Sequence, residues 1–241
     1  GVCICPFARG GHCRGLHGRA RRRTIRCGLV SRGGSRPGSA PRGERRRPTV
    51  SNKGELEARL APVHPGDSVR GLFFKSVFSF VHQQAGLAAL KTVRQGALGA
   101  AYTDLLTYPA RDFLTLLYRA ADALEPLLGP EDAVFHACGE KDVTRFSTGP
   151  GMLIFGIISR GDPQKLFAGA QMGYGAAVSY GSRDYVPTGP TSGTLHMRRD
   201  MLPPAYHEGI LTGALKVLGL QGTARATPRG IDSADYDIQW A

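Results

Sequence analysis

The hydrophobic period changes twice between residues 182 and 241, and that change restricts the fold more than any feature upstream of it. After Gly181, "RDYVP" and "SGTLHMRRDM" have strand character and are joined by the turn-rich "TGPTSG". "LPPAYHEGILTGALKVLG" (202–219) then takes up a helical repeat, and "GTARATP" and "YDIQW" return to short strands around a turn at residues 228–233. The apolar segments before Gly181 are patterned as helices. Helices followed by strand, strand, helix, strand, strand predict an α+β domain, with a helical N-terminal layer packed on a small antiparallel sheet.

Within the helical layer, "GLFFKSVFSFVHQQ" (71–84) predicts a buried helix entered from the capping residues Asp67 and Ser68. "GLAALKTVRQG" and "ALGAAYTDLL" predict shorter helical pieces broken by Gly86, Gly96 and Gly99. In "YPARDFLTLLYRAADALEPLLGP", Phe113, Leu116, Leu117, Ala120 and Leu124 recur on one face and Pro109 stands at the first turn. Arg111, Arg119, Asp122 and Glu125 take the opposite face. Further helices are expected from Pro130 to about Arg145 and from Met152 to Ser159. Asp162-Pro163 opens one more, with a stripe of Leu166, Phe167, Ala170, Tyr174, Ala177 and Val178. Gly169 and Gly173 edge that stripe, where another backbone is expected to approach.

The helix at 202–219 carries the candidate chemistry. At 100° per residue, Tyr206, Val217, Ile210, Ala214, Leu218, Leu211 and Leu215 form one apolar arc, and His207 falls in its middle. Glu208, Thr212 and Lys216 lie opposite, so the histidine is expected to face inward and the glutamate to face water. A zinc-protease pair needs H-E-x-x-H to bring two imidazoles to one face, and the position four after His207 is Leu211. Two readings of His207 remain: a buried neutral imidazole bonded to a backbone group or carboxylate, or one wall of an internal pocket. His136 and Cys138 are two apart, which sends them to different sides of a helix and argues against a nucleophile pair. "STGPGM", "GPTSGT" and "GYGAAVSYG" match no phosphate-binding loop. Arg198 and Arg199 could meet an acidic ligand. No catalytic residue and no metal site is expected.

Composition matters in one place. Of the 31 basic and 19 acidic residues, thirteen basic and one acidic fall in residues 1–50, so the rest of the chain carries 18 of each and is neutral. That basic segment has no lysine, holds Cys3, Cys5, Cys13 and Cys27, and lacks hydrophobic periodicity, so residues 1–63 are read as a disordered tail and 64–241 as a single domain. Three readings of the tail stay open. It could track nucleic-acid phosphates, although no reader motif accompanies the arginines. It could place Cys3, Cys5, Cys13 and His17 around zinc, although the paired C-x-x-C spacing is missing. Or it could be an over-extended start, since it is rich in Arg, Gly, Pro and Ala and no methionine precedes Met152. The longest apolar run, "MLIFGII", is too short to span a bilayer, for which about 18 residues are needed. The protein is expected to be cytoplasmic, without a membrane partner.

"VRGLFFKSVF" (69–78), "YPARDFLTLLYRAA" (108–121), "AYHEGILTGALKVLG" (205–219) and "YDIQW" (236–240) together resemble the landmarks of a myxobacterial paralogous family of unknown function. More remotely, the end of the chain is similar to the heme nitric-oxide/oxygen-binding (H-NOX) domain and to 4-vinyl reductase type sensor domains. That resemblance implies a strand pair, a helix and a closing strand pair over a helical layer. Two departures count against heme: residues 163–181 contain no histidine for an axial ligand, and "LHMRRDML" replaces the Tyr-x-Ser-x-Arg signature of the heme family. No cofactor is therefore expected. The resemblance and the missing catalytic constellations suggest a noncatalytic regulatory or small-molecule-sensing module, with a pocket between sheet and helices and His207, Tyr174, Tyr206 and Arg198 as its ligand-binding residues. A protein-interaction scaffold or homodimerisation module is the alternative. An enzyme, or a nucleic-acid binder acting through the basic tail, ranks below both.

Overall fold

The computed structural model describes residues 51–99, 101–148 and 151–241. The zinc, nucleic-acid and over-extended-start readings of residues 1–50 therefore lie outside the described residues. The chain is an α+β structure. Its helical part begins earlier than the sequence suggested, with α1 (Ser51–Leu60). Leu56 and Leu60 pack on the core, and the buried Arg59 donates to the carbonyl oxygens of Met201, Leu202 and Ile231. Two leucines four residues apart, with one arginine between them, are too short a pattern to separate from a polar tail. The boundary near residue 64 accordingly moves back to include this helix.

β1 (Ser68–Arg70) pairs antiparallel with β2 (Thr107–Pro109), a small ribbon that the sequence did not announce. It also takes Ser68 and Asp67 away from the capping role expected of them. α2 (Gly71–Val93) starts after Arg70 with no side-chain cap, and Asp67 instead accepts from the His64 N–H and from Arg199. Gly86 kinks α2 at φ 79°, a left-handed value that an alanine would resist. "ALGAAYTDLL" is not the expected helix: after a short 3-10 turn at Gly96–Gly99, residues 101–106 have no regular structure ahead of β2. α3 (Ala110–Leu128) follows the expected wheel, with Phe113, Leu116, Leu117, Ala120 and Leu124 all buried and Arg111, Asp122 and Glu125 exposed. Phe74 stacks on Tyr102 at 4.4 Å and meets Phe113 edge-on at 5.1 Å, which fixes α2 against α3.

α4 (Glu131–Thr148), α5 (Gly151–Ser159), α6 (Pro163–Ala168) and α7 (Ala170–Gly175) complete the helical layer. The single helix expected after Asp162-Pro163 is divided in two. Asp162 caps α6 by accepting from the Gln164 N–H at 2.9 Å, and the chain turns again at Gly169. Gly169 does mark a close approach, but the approaching group is the Ile158 side chain rather than another backbone.

β3 (Ser182–Gly189), β4 (Ser192–Arg198), α8 (Pro204–Val217), β5 (Gly222–Gly230) and β6 (Ser233–Trp240) follow in the order the sequence predicts. The four strands form one antiparallel sheet in the order β3-β4-β6-β5. Alternation sends Leu195 and Met197 of β4, with Ala234, Tyr236, Ile238 and Trp240 of β6, to the face covered by α6, α7 and α8. α8 is covered on two sides. Leu211 and Leu215 lie on the sheet, Ile210 and Ala214 turn toward the neighbouring helices, and the glycine edge lies on α4. An added Cβ at Gly139 of α4 would overlap the Tyr206 carbonyl, and one at Gly209 would overlap the His136 carbonyl. Backbone therefore meets backbone along this seam. On the sheet side, Glu208 does not face water as the wheel implied: its Oε1 accepts from the Ala226 N–H of β5 at 2.7 Å. Lys216, the wettest of the three polar positions, pairs with Glu140 of α4 at 2.8 Å.

Candidate functional site

His207 is fully buried, at 0 % exposure, one turn into α8. Its Nδ1 lies 3.1 Å from the Tyr174 hydroxyl of α7, and its Nε2 lies 3.0 Å from Asp200 Oδ1, an ion-pair distance rather than an aligned hydrogen bond. A carboxylate cannot donate, so Nε2 carries a proton toward Asp200, and Nδ1 shares a hydrogen bond with the Tyr174 hydroxyl. Asp200 ends the chain of contacts on Arg183 of β3. That guanidinium donates to Asp200 Oδ2 and to the Tyr180 carbonyl and lies over the Tyr174 ring at 4.7 Å. Tyr174, His207, Asp200 and Arg183 thus close a loop of buried polar groups between α7, α8 and the first strand of the sheet.

Burial would raise the Asp200 carboxyl, but the His207 ring and the Arg183 charge outweigh it and hold the group well below the usual carboxylate range. Burial pushes the Tyr174 hydroxyl upward, with the Arg183 charge opposing it. The Tyr174 hydroxyl is enclosed by these partners, while the residue as a whole is half-buried.

The Tyr174 ring edges a half-open pocket of about 110 Å³. The lining comprises Phe73 of α2, Val143 and Phe146 of α4, Phe155 and Ile158 of α5, Leu166 and Phe167 of α6, Gly169, Ala170, Gly173, Tyr174 and Ala177, and Ile210, Leu211 and Ala214 of α8. No strand residue takes part, so the pocket lies among the helices and not beneath the sheet, where the sequence reading put it. The sheet is too well filled by Phe167, Leu195, Tyr236 and Trp240 to leave room. None of the lining side chains is charged, and Tyr174 is the single one with a hydrogen-bonding group.

Of the four residues singled out by sequence, the structure joins Tyr174, His207 and, through its ring, Tyr206, and separates Arg198. The Tyr206 ring meets His207 edge-on at 5.7 Å and Phe113 edge-on, but it does not line the cavity, and its hydroxyl donates to Asp142 Oδ2 at 2.6 Å. Arg198 lies on the solvent face of the sheet. It pairs with Asp235 at 2.7 Å, beside His196 and Arg229, which bind the same carboxylate. Arg183 and Asp200 were missed because charges at strand ends follow no periodicity. Phe73, Phe146 and Phe155 were missed because a helix that is apolar on all sides does not say which side lines a void. His136 and Cys138 do diverge: His136 faces Thr212 of α8 at 3.2 Å, and Cys138 is buried in the core.

The Tyr206–Asp142 contact has its own pH signature. Burial pushes the Asp142 carboxyl up to about 7, against the pull of the Ser76 and Tyr206 hydroxyls. In the unfolded chain an aspartate titrates near its ordinary value of about 4. The folded state keeps a proton that the unfolded state releases, so stability falls as pH rises from about 4 to about 7. Asp142→Asn, which retains an acceptor for Tyr206, is expected to flatten this slope and to add roughly 1–3 kcal/mol at pH 8 in urea denaturation. An unchanged slope would show that the carboxyl is already ionised in the fold.

Among the described residues, no group of three or more His, Cys, Asp or Glu side chains is placed to hold a metal ion, and no helix is long and apolar enough to cross a membrane. The fold is similar to that of H-NOX proteins. An Fe(II) unliganded H-NOX protein from K. algicida aligns with a TM-score of 0.55 at 15% identity, over 71% of this chain and 96% of that one. One from S. oneidensis in the Fe(II)NO state gives 0.56 at 13%, over 71% and 99%. The Shewanella oneidensis H-NOX domain in the Fe(II)CO state gives 0.57 at 15%, over 71% and 98%. At such identities the likeness concerns the fold alone. No curated protein matches the sequence. Residues 63–241 match the family described as protein of unknown function (DUF2378), which spans both the helical layer and the sheet, and the chain belongs to that family.

Proposed function

We propose that the domain is a noncatalytic sensing module whose helical cavity takes up a small, neutral, largely apolar molecule. The observation that carries this reading is the cavity wall, with its four phenylalanines, its lack of charged side chains and its single phenol at the edge. The volume is of the order of apolar cavities of about 150 Å³ that accept a benzene-sized guest. A charged ligand would lose its hydration there and gain no counter-ion. Tyr174 supplies the link to the rest of the fold, because its ring edges the cavity and its hydroxyl is bonded to His207. The H-NOX-like fold supports a sensing role by analogy.

Heme does not fit this donor set. The lining offers no imidazole, thiolate or thioether, and both ring nitrogens of the nearby His207 face other partners. No arginine or lysine lines the wall to meet a propionate. Protein purified after growth with added heme precursor is expected to show no Soret band.

Binding is tested by native mass spectrometry and isothermal titration with single-ring aromatics and short branched hydrocarbons. Ala214→Leu and Ala177→Leu, which fill the cavity from α8 and from the end of α7, are expected to lower affinity about tenfold or more while leaving the urea midpoint within about 1.5 kcal/mol of wild type. Equal binding by wild type and both variants would place the ligand elsewhere. A protein that takes up none of these probes would remove the reading. The competing scaffold role is favoured by no residue of this site.

A further inference from the structure

The outward side of the cavity's outer wall is as apolar as its inward side. On α5, Phe155 and Ile158 face the cavity, while Met152, Leu153 and Ile157 project away from it, and Met172 of the adjoining α7 joins them. These four side chains are 60–71 % exposed. At 100° per residue, Met152, Gly156, Leu153 and Ile157 occupy one arc of α5, and the exposed Arg160 follows directly after the helix at φ 47°. The surrounding charge has one sign. Between Val143 and Arg183 the chain has a single acidic residue, Asp162, which caps α6 and pairs with Lys165, against the three cations Arg145, Arg160 and Lys165, of which Arg160 adjoins α5.

The geometry points to this α5–α7 face as a peripheral contact with an anionic bilayer, its methionine, leucine and isoleucine side chains entering the acyl boundary and its cations meeting lipid headgroups. Exposed aliphatic and thioether groups ringed by arginine and lysine are the chemistry that a lipid surface satisfies on both counts. A protein partner would need a matching apolar patch edged with acids. A second copy of this chain offers the same cations and would repel itself. With nine residues rising about 1.5 Å each, α5 is far too short to span the roughly 30 Å hydrocarbon core, so it lies along the interface. This contact does not depend on what fills the cavity.

The arginine-rich segment before residue 51 binds anionic vesicles on charge alone, so the readout has to report on α5 itself. In the full chain, Ile157→Trp places an indole on the face, while the native Trp240 is buried under the sheet. With vesicles of phosphatidylcholine and phosphatidylglycerol containing brominated acyl chains, the variant's added emission is expected to shift to the blue and to be quenched at least twofold. The parent chain is expected to show neither change. Leu153→Gln combined with Met152→Gln in that background is expected to abolish the quenching, with the urea midpoint unchanged because both positions are solvent-facing. No quenching in Ile157→Trp would overturn the proposal, as would quenching unaffected by the glutamine pair. Light scattering that finds a dimer dissolved by the glutamine pair would also overturn it, in favour of a second copy.

Discussion

Gly209→Ala is expected to cost the domain about 3 kcal/mol or more in urea denaturation, an unusually large effect for a single added methyl group. The methyl would occupy the space of the His136 carbonyl oxygen, which is backbone and cannot swing aside. To admit it, α4 and α8 would have to separate, and their separation would disturb both the Tyr206–Asp142 contact and the Glu208 anchor on β5. Gly139→Ala strikes the same seam from the other helix, against the Tyr206 carbonyl, and is expected to behave alike. Gly173→Ala provides the control. Its added carbon would find only Ile158 Cδ1 at 3.8 Å, an ordinary contact, so the better helix propensity of alanine should leave stability unchanged or up to about 1 kcal/mol higher. If Gly209→Ala unfolded at the wild-type midpoint, the two helices would not be in backbone contact.

The second large effect is expected at Asp200. Asp200→Asn leaves the buried Arg183 guanidinium without its counter-charge and weakens the contact with His207, for a loss of about 3–5 kcal/mol. Removing both charges, as Asp200→Asn with Arg183→Met, is expected to recover part of that loss, since the desolvated cation goes too; a double-mutant cycle measures the coupling. The sign in pH follows from the depressed carboxyl. Its contribution is present above the unfolded value of about 4 and disappears as pH falls toward the lower folded one, so acid unfolding of the wild type should be steeper than that of Asp200→Asn. Asp142 acts oppositely, losing stability as pH rises toward 7, and the two together predict a maximum on the acidic side of neutrality. A wild-type midpoint in Asp200→Asn would mean that the Arg183–Asp200 pair is not formed in solution.

The parts of this fold legible in sequence are those where one face alone is buried. α3 and the paired strands of the sheet each have a wet side, so period 3.6 or 2 shows through, and His207 could be assigned inward because six aliphatic neighbours shared its arc. Where an element is covered twice, the pattern misleads. Glu208 looked solvated because a wheel drawn on apolar positions cannot show a carboxylate reaching sideways to a strand N–H. Gly209 and Gly213 stand four apart, a visible sign of close helix approach, yet in a soluble chain such spacing reads as easily as helix weakness. The site was half legible. Tyr174 and His207 came from a stripe and an arc, whereas Asp200 and Arg183 sit in turns and strand ends whose directions are set only after the sheet has closed. The cavity could not be located from residue pattern, because a void is what is left over after all side chains are placed.

Gly139 and Gly209 let two main chains touch, and Glu208 fastens the same helix to β5, so α4, α8 and the sheet make a clamped frame with no slack for sliding. By contrast, α6 and α7 meet at the Gly169 elbow and are tied to β3 through the side chains of Gln164 and Gln171. On the proposed reading, a guest entering the pocket would meet less resistance at the elbow than at the frame. Tyr174 stands on the elbow side and His207 on the frame side, so their 3.1 Å contact is where such a displacement would register.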